Sequence, residues 1–164
     1  MSTILHTDGK HKDIPRVEPE VKGEFVIVTA DWNNEITYSL RDSALETLRE
    51  GGVMEERIKS ISVPGTVELV NAAALFVNRP STAAVIILGC VIRGDTPHFD
   101  YVCNIAAEGT ARLNSLGKAP VIFGVLTVET LQQAVERAGG ELGNKGGEAA
   151  AAAISMANLR IICN

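Results

Sequence analysis

Phe25-Val26-Ile27-Val28-Thr29-Ala30 is a nearly continuous apolar run, with Gly23 before it and the polar Asp31-Trp32-Asn33-Asn34 after it. A strand with one wet face alternates apolar and polar residues, so a run without alternation marks a strand covered on both faces, as in a parallel sheet. Just downstream, Leu40, Ala44, Leu45 and Leu48 recur at helical spacing, with Thr37 as the expected cap and Gly51-Gly52 as the stop. The same unit recurs in kind, although no repeat is visible in the sequence. Residues 58–63 are predicted as a strand, Pro64-Gly65 as a turn, and 66–77 as an Ala-rich helix closed by Asn78-Arg79-Pro80. Third and fourth strands are expected at 83–88 and 120–126, separated by a helix that Thr96-Pro97 opens as N-cap and first residue and that runs to about residue 115. Thr127 is the expected cap of a helix through Val128, Leu131, Val135 and Ala138, ended by Gly139-Gly140, and a final helix spans roughly 144–158. Strands alternating with helices in this way predict a doubly wound α/β domain with a four-stranded parallel sheet.

Outside that pattern, residues 1–24 are polar and broken by Gly9, Pro15, Pro19 and Gly23, and read as an arm without a core of its own, leaving 25–164 as the domain. A chain of 164 residues with 46% apolar residues has enough material for one packed core, which excludes disorder as its main state. The formal net charge of −5 disfavours a polyanion-binding surface, so nucleic acid is not an expected partner. Mean hydropathy is +0.14, which in so small a chain leaves apolar surface for an oligomer contact. Cys90, Cys103 and Cys163 are odd in number and widely spaced, without a CxxC, so neither a disulfide framework nor a metal site is expected. No secretory h-region precedes the first strand, and the longest apolar run falls short of a bilayer span, so a soluble, cytoplasmic protein is expected.

Ligands of doubly wound sheets bind beyond the carboxyl ends of the strands. At the end of the first strand stands Trp32, the single Trp, among Asp and Asn. A lone Trp is more often core, but this loop offers little core to enter, which favours a stacking surface for a flat heterocycle. The second strand delivers Thr66, Val67 and Glu68 at a helix start, where Glu68 serves either the helix dipole or a substrate hydroxyl. After the third strand comes Val91-Ile92-Arg93-Gly94-Asp95-Thr96-Pro97-His98, in which the amides of Asp95 and Thr96 are a candidate anion site at a helix N-terminus. His98 is the only His outside the arm. An isolated His is usually structural; beside an anion pocket it is a candidate general acid/base. By position alone Arg137 and Lys145 read as solvated charge, and Gly143-Asn144-Lys145-Gly146-Gly147 fails the Walker pattern.

Taken together, Val63-Pro64-Gly65-Thr66-Val67-Glu68-Leu69, Val91-Ile92-Arg93-Gly94-Asp95-Thr96-Pro97-His98-Phe99-Asp100, Pro120-Val121-Ile122-Phe123-Gly124 and Asn144-Lys145-Gly146 resemble the lumazine synthase (6,7-dimethyl-8-ribityllumazine synthase) family. The resemblance runs in order from about residue 25 to 159, and four separate motifs make it specific. It implies a flavodoxin-like three-layer α/β/α sandwich and a transferase of riboflavin biosynthesis. The implied reaction condenses 5-amino-6-(D-ribitylamino)uracil with 3,4-dihydroxy-2-butanone 4-phosphate, releasing phosphate and water, with no metal or organic cofactor. It places Trp32 against the pyrimidine ring, where Phe is common in the family. Asn33, Thr66 and Glu68 fall near the ribityl chain and the polar edge of the ring, Val67 among the substrate-binding residues, Val91 and Ile92 on the pocket wall, and His98 on the position credited with proton transfer. Arg137 matches the arginine that binds substrate phosphate, and Lys145 a basic position at the site. Asp95 departs from the small or neutral residue common there, which leaves backbone rather than side-chain binding at Asp95 and Thr96. The resemblance also implies a ring of five subunits, in which Phe123, Arg137 and Lys145 reach the site from a neighbour and the arm adds to a neighbouring sheet. Some members assemble twelve such rings into a shell. Rival readings are a non-catalytic flavin- or lumazine-binding module, in which Trp32 stacks an isoalloxazine, and a shell protein with vestigial catalysis. A flavodoxin-like electron carrier is disfavoured, because no Ser/Thr-rich phosphate loop follows the first strand.

Overall fold

The computed structural model describes residues 14–163. In chain order its elements are β1 (Glu24–Ala30), α1 (Asn34–Glu50), β2 (Ile58–Val63), α2 (Glu68–Val77), β3 (Thr82–Ile92), α3 (His98–Ser115), β4 (Val121–Val128), α4 (Leu131–Glu136), β5 (Ala138–Gly140), β6 (Gly143–Asn144) and α5 (Lys145–Cys163). Four strands form one parallel sheet in the order β2-β1-β3-β4, and β5 and β6 form a separate antiparallel hairpin. The apolar run that opened the sequence is a central strand, and its lack of alternation has a direct cause. Phe25 and Ile27 face one helical layer with Leu40, Leu48, Ala150 and Ile154, whereas Val26, Val28 and Ala30 face the other with Leu69, Ala73 and Phe76. Both faces are covered, α1 and α5 on one side and α2 and α3 on the other, as expected for a flavodoxin-like sandwich. Each fully buried aliphatic side chain contributes about 1.5–3 kcal/mol.

Small residues set the layer spacing. Gly146, at the start of α5, lies against the backbone of α1, where an added Cβ would collide with the Leu40 carbonyl. Alanine ordinarily stabilises a helix interior by about 1 kcal/mol over glycine. Here the contact reverses that sign: Gly146→Ala is expected to lower stability by about 1–3 kcal/mol in urea unfolding, because α5 must lift off α1. A raised unfolding midpoint would contradict the close approach.

Several boundaries differ from the sequence reading, each for a physical reason. The cap position of α1 is Asn33, in a left-handed conformation at φ 60°, while Thr37 is buried inside the helix with its hydroxyl unpartnered. Thr127 is the penultimate residue of β4, and α4 is instead capped by Thr130, which forms a reciprocal capping box with Gln133. Thr96 makes no cap bond to α3, which begins at His98 after Pro97. The third strand, expected at 83–88, runs on to Ile92 because it keeps pairing with β4, and Gly89 lies within it where a Cβ would come within 2.9 Å of the Thr66 hydroxyl and 3.0 Å of Leu69. The hairpin β5–β6 was not foreseen; its strands are too short to carry a period.

Residues 1–13 of the expected arm lie outside the described residues. The remainder of it is tied to the chain's own helices rather than lacking a core. Val21 is buried, the Val17 N–H donates to the Gly51 carbonyl at 2.9 Å, and Asn158 bonds Glu18 and Arg16 at 3.0 and 2.8 Å. No helix among the described residues is long and apolar enough to cross a membrane.

Candidate active site

Chain direction fixes where a ligand can enter. From β1 the chain moves to β2 on one side and then returns to β3 on the other, so the order reverses between β1 and β3. The adjoining helices diverge there and leave a crevice. Register deepens it: β1 stops pairing with β3 at Thr29–Leu88, while β3 runs on beside β4 to Ile92–Val128. The overhanging end of β3 forms one wall of a cleft of about 590 Å³. Trp32, Asn33, Thr66, Val67, Glu68, Val91, Ile92, Thr96 and His98 all line it, together with Phe99 and Val102 of α3. Segments far apart in sequence thus meet at one strand edge.

Trp32 is 73% exposed, on a loop fixed from below. Asp31 and Trp32 donate their N–H groups to the Val63 and Pro64 carbonyls at 2.8 and 3.1 Å, and Tyr38 donates its hydroxyl to Asp31 at 2.9 Å. A large ring held out of the core on an anchored loop offers a flat face to the cleft. Asn33 next to it is less free than the sequence suggested. Its side-chain amide donates to the Cys90 carbonyl at 2.9 Å, tying the β1 loop to β3, and leaves its oxygen and its second N–H for a ligand. Thr66 is buried against Gly89, and Glu68 folds back over Gly65. Cys90 reaches the cleft floor, but burial pushes its thiol up to about 11, so it stays protonated and is not a nucleophile. His98, exposed at the first residue of α3, is the one basic side chain of the lining.

Four of the expected residues lie elsewhere in this chain. Asp95 is exposed beside the cleft and is not part of its wall. Phe123, half-buried on β4, packs against the core cluster under α2. Arg137 and Lys145 flank the β5–β6 hairpin, whose Ala138 and Asn144 contact Ser39 of α1, in the opposite helical layer from the starts of α2 and α3. Arg137 has a partner that the sequence reading missed. Its Nη1 and Nη2 donate to both oxygens of Glu148 at 2.8 and 2.9 Å, and Nη1 also bonds the Leu142 carbonyl. Burial alone would raise the Glu148 carboxyl, but Arg137 and then Lys145 hold it below the usual carboxylate range. The end-on edge of the guanidinium is therefore filled. Its side-on edge, Nε and the second Nη2 hydrogen, has no partner among the described residues, and such a fork matches two oxygens of a phosphate.

The family model of 6,7-dimethyl-8-ribityllumazine synthase matches residues 22–160, which contain every wall of the cleft and the Arg137–Glu148 pair. The chain belongs to the 6,7-dimethyl-8-ribityllumazine synthase family. Relatives of that name agree along nearly the whole length. The one from Phocaeicola vulgatus is 44% identical over 162 residues, covering 98% of this chain and 95% of the relative. The one from Porphyromonas gingivalis is 52% identical over 136 residues, covering 83% and 84%. A third, from Bacteroides fragilis, is 50% identical and covers 81% of this chain and 93% of its own. Of the four motifs that carried the resemblance to the lumazine synthase family, the two that follow β2 and β3 form the cleft, and those at 120–124 and 144–146 lie on β4 and at the β6–α5 junction.

Proposed function

We propose that this protein is a lumazine synthase, a transferase that joins 5-amino-6-(D-ribitylamino)uracil to 3,4-dihydroxy-2-butanone 4-phosphate and releases phosphate and water in riboflavin biosynthesis. The observation that carries this reading is the cleft itself, where nine of the expected residues, from three strand ends, converge on a space bounded by an exposed indole, a carboxylate and an imidazole. In this account the pyrimidine stacks on Trp32, and its ribityl hydroxyls meet Thr66, Glu68 and the carbonyl oxygen of the Asn33 side chain. Val91 and Ile92 supply the apolar wall, and the loop amides at Asp95 and Thr96 face the phosphate. His98 takes a proton as the substrate amine adds to the ketone and returns it to the departing hydroxyl, so that one imidazole serves imine formation, phosphate loss and ring closure in turn.

Among the described residues of one chain no permanent cation lines this cleft; Arg137 and Lys145 lie in the other helical layer. We assign them, with Phe123, to the site of an adjacent subunit in a ring of five, where the side-on edge of Arg137 meets the phosphate. Exposed apolar side chains support such contacts: Tyr101 and Ile105 on α3, Leu131 and Val135 on α4, and Leu142 at the hairpin. In the same reading the N-terminal arm adds to a neighbouring sheet, twelve rings can close into a shell, and the cytoplasm is the proposed location. The test is to mix purified protein with both substrates and follow lumazine absorbance and phosphate release together. Product formation well above the uncatalysed rate is expected, and a rate equal to it would overturn the enzyme reading.

A further inference from the structure

Arg93 was not singled out by the sequence and does not line the cleft, yet it clasps the segment that does. Its backbone N–H donates to the Val128 carbonyl at 2.9 Å, which fixes its Cα to the sheet. From there its guanidinium reaches across the β3–α3 loop. Nη2 donates to Asp100 at 3.0 Å, Nε lies 2.9 Å from a Glu129 oxygen, and the plane stacks over the Phe99 ring at 4.1 Å from its centroid. Between the clasped residues lies a loop with little else to hold it. Residues 93–98 are all exposed, and Gly94 has nothing near the position of a Cβ. Gly94, Thr96, His98 and Phe99 are nevertheless the cleft wall on that side.

Given the synthase reading, on which this inference rests, we infer that Arg93 is a positioning residue: by joining β3, the first turn of α3 and the start of the β4–α4 loop, it sets the aim of the His98 imidazole and of the 94–97 amides. Carboxylates on both sides and a ring beneath suit only a planar fork, which lysine does not provide. The ion pairs themselves are half-exposed and add little to folding stability. Their effect is on orientation, where a misplacement of about 1 Å costs up to about 100-fold in rate.

The experiment compares Arg93→Lys, Arg93→Gln and Asp100→Asn in the full chain with wild type. A kcat lowered by about 10-fold or more is expected for the Arg93 variants, with KM for the ribitylaminouracil within about two-fold, because that substrate rests on Trp32 and the start of α2. Asp100→Asn, which keeps Arg93 and the fold, is expected to show the same split at smaller size, and it serves if Arg93→Gln does not fold. A kcat within about two-fold of wild type in all soluble variants would overturn the inference, as would losses that merely follow the folded fraction. A second readout does not need turnover: the His98 imidazole resonance, assigned by its absence in His98→Gln, is expected to shift or broaden in Arg93→Lys. Superimposable spectra would overturn the positioning role, whereas an inactive wild type with a shifted resonance would overturn only the synthase reading.

Discussion

Replacing His98 by alanine is expected to lower kcat by about 100-fold or more while leaving both KM values within a few-fold. The reasoning is structural as well as chemical. His98 is exposed at the first residue of α3, so its loss leaves the core intact, and alanine is tolerated at a helix start. Within the cleft, Glu68 and Cys90 do not replace it: Glu68 belongs to the start of α2 over Gly65, and the Cys90 thiol is held protonated by burial. Steady-state kinetics with each substrate varied in turn checks the split, and a thermal melt checks the fold. A variant that keeps wild-type kcat would remove His98 from the proton transfers.

Arg137→Ala is expected to act on the other kinetic constant, raising KM for the butanone phosphate by about 30-fold, the equivalent of about 2 kcal/mol for a lost charge-assisted contact, with KM for the uracil little changed. Part of any effect comes from the Glu148 carboxylate, which loses the partner that holds its ionised form. Arg137→Lys separates the two contributions, because it keeps a positive charge near Glu148 but not the side-on fork. If the lysine variant binds the phosphate substrate as wild type does, bidentate recognition is the wrong account. Glu148 also adds an acid dependence to folding. Its folded-state carboxyl is depressed, so its contribution is present above the unfolded value and is lost as pH falls through the folded one.

Strand β1 was legible because burial on two faces leaves a run without alternation, and β2 was placed at its observed bounds because Pro64-Gly65 punctuates it. Turn chemistry at single residues was less legible. Thr37, Thr96 and Thr127 all had the composition of caps, and none of them caps, because Asn33 takes the left-handed position, Pro97 stands at the start of α3, and β4 keeps pairing with the overhanging end of β3. That overhang depends on how two strands align and leaves no mark in either strand alone. The same limit governs the site. Trp32, Thr66, Glu68 and His98 announce themselves as polar or aromatic residues just past strands. The Arg137–Glu148 and Arg93–Asp100–Glu129 pairings depend on tertiary distance and are invisible in a linear reading.

We propose that the working site is the junction of two chains, with His98 supplied by one and Arg137 by the next. Subunits carrying His98→Ala and subunits carrying Arg137→Ala can be unfolded together in equal amounts and co-assembled, and their lumazine synthesis measured at butanone phosphate well below the wild-type KM, where each variant alone is expected to be only weakly active. Random assembly of a closed ring would place a native His98 opposite a native Arg137 at about one site in four, so activity near a quarter of wild type is predicted. Activity no greater than that of the two variants assembled separately would contradict the shared site and return the whole of catalysis to the single chain.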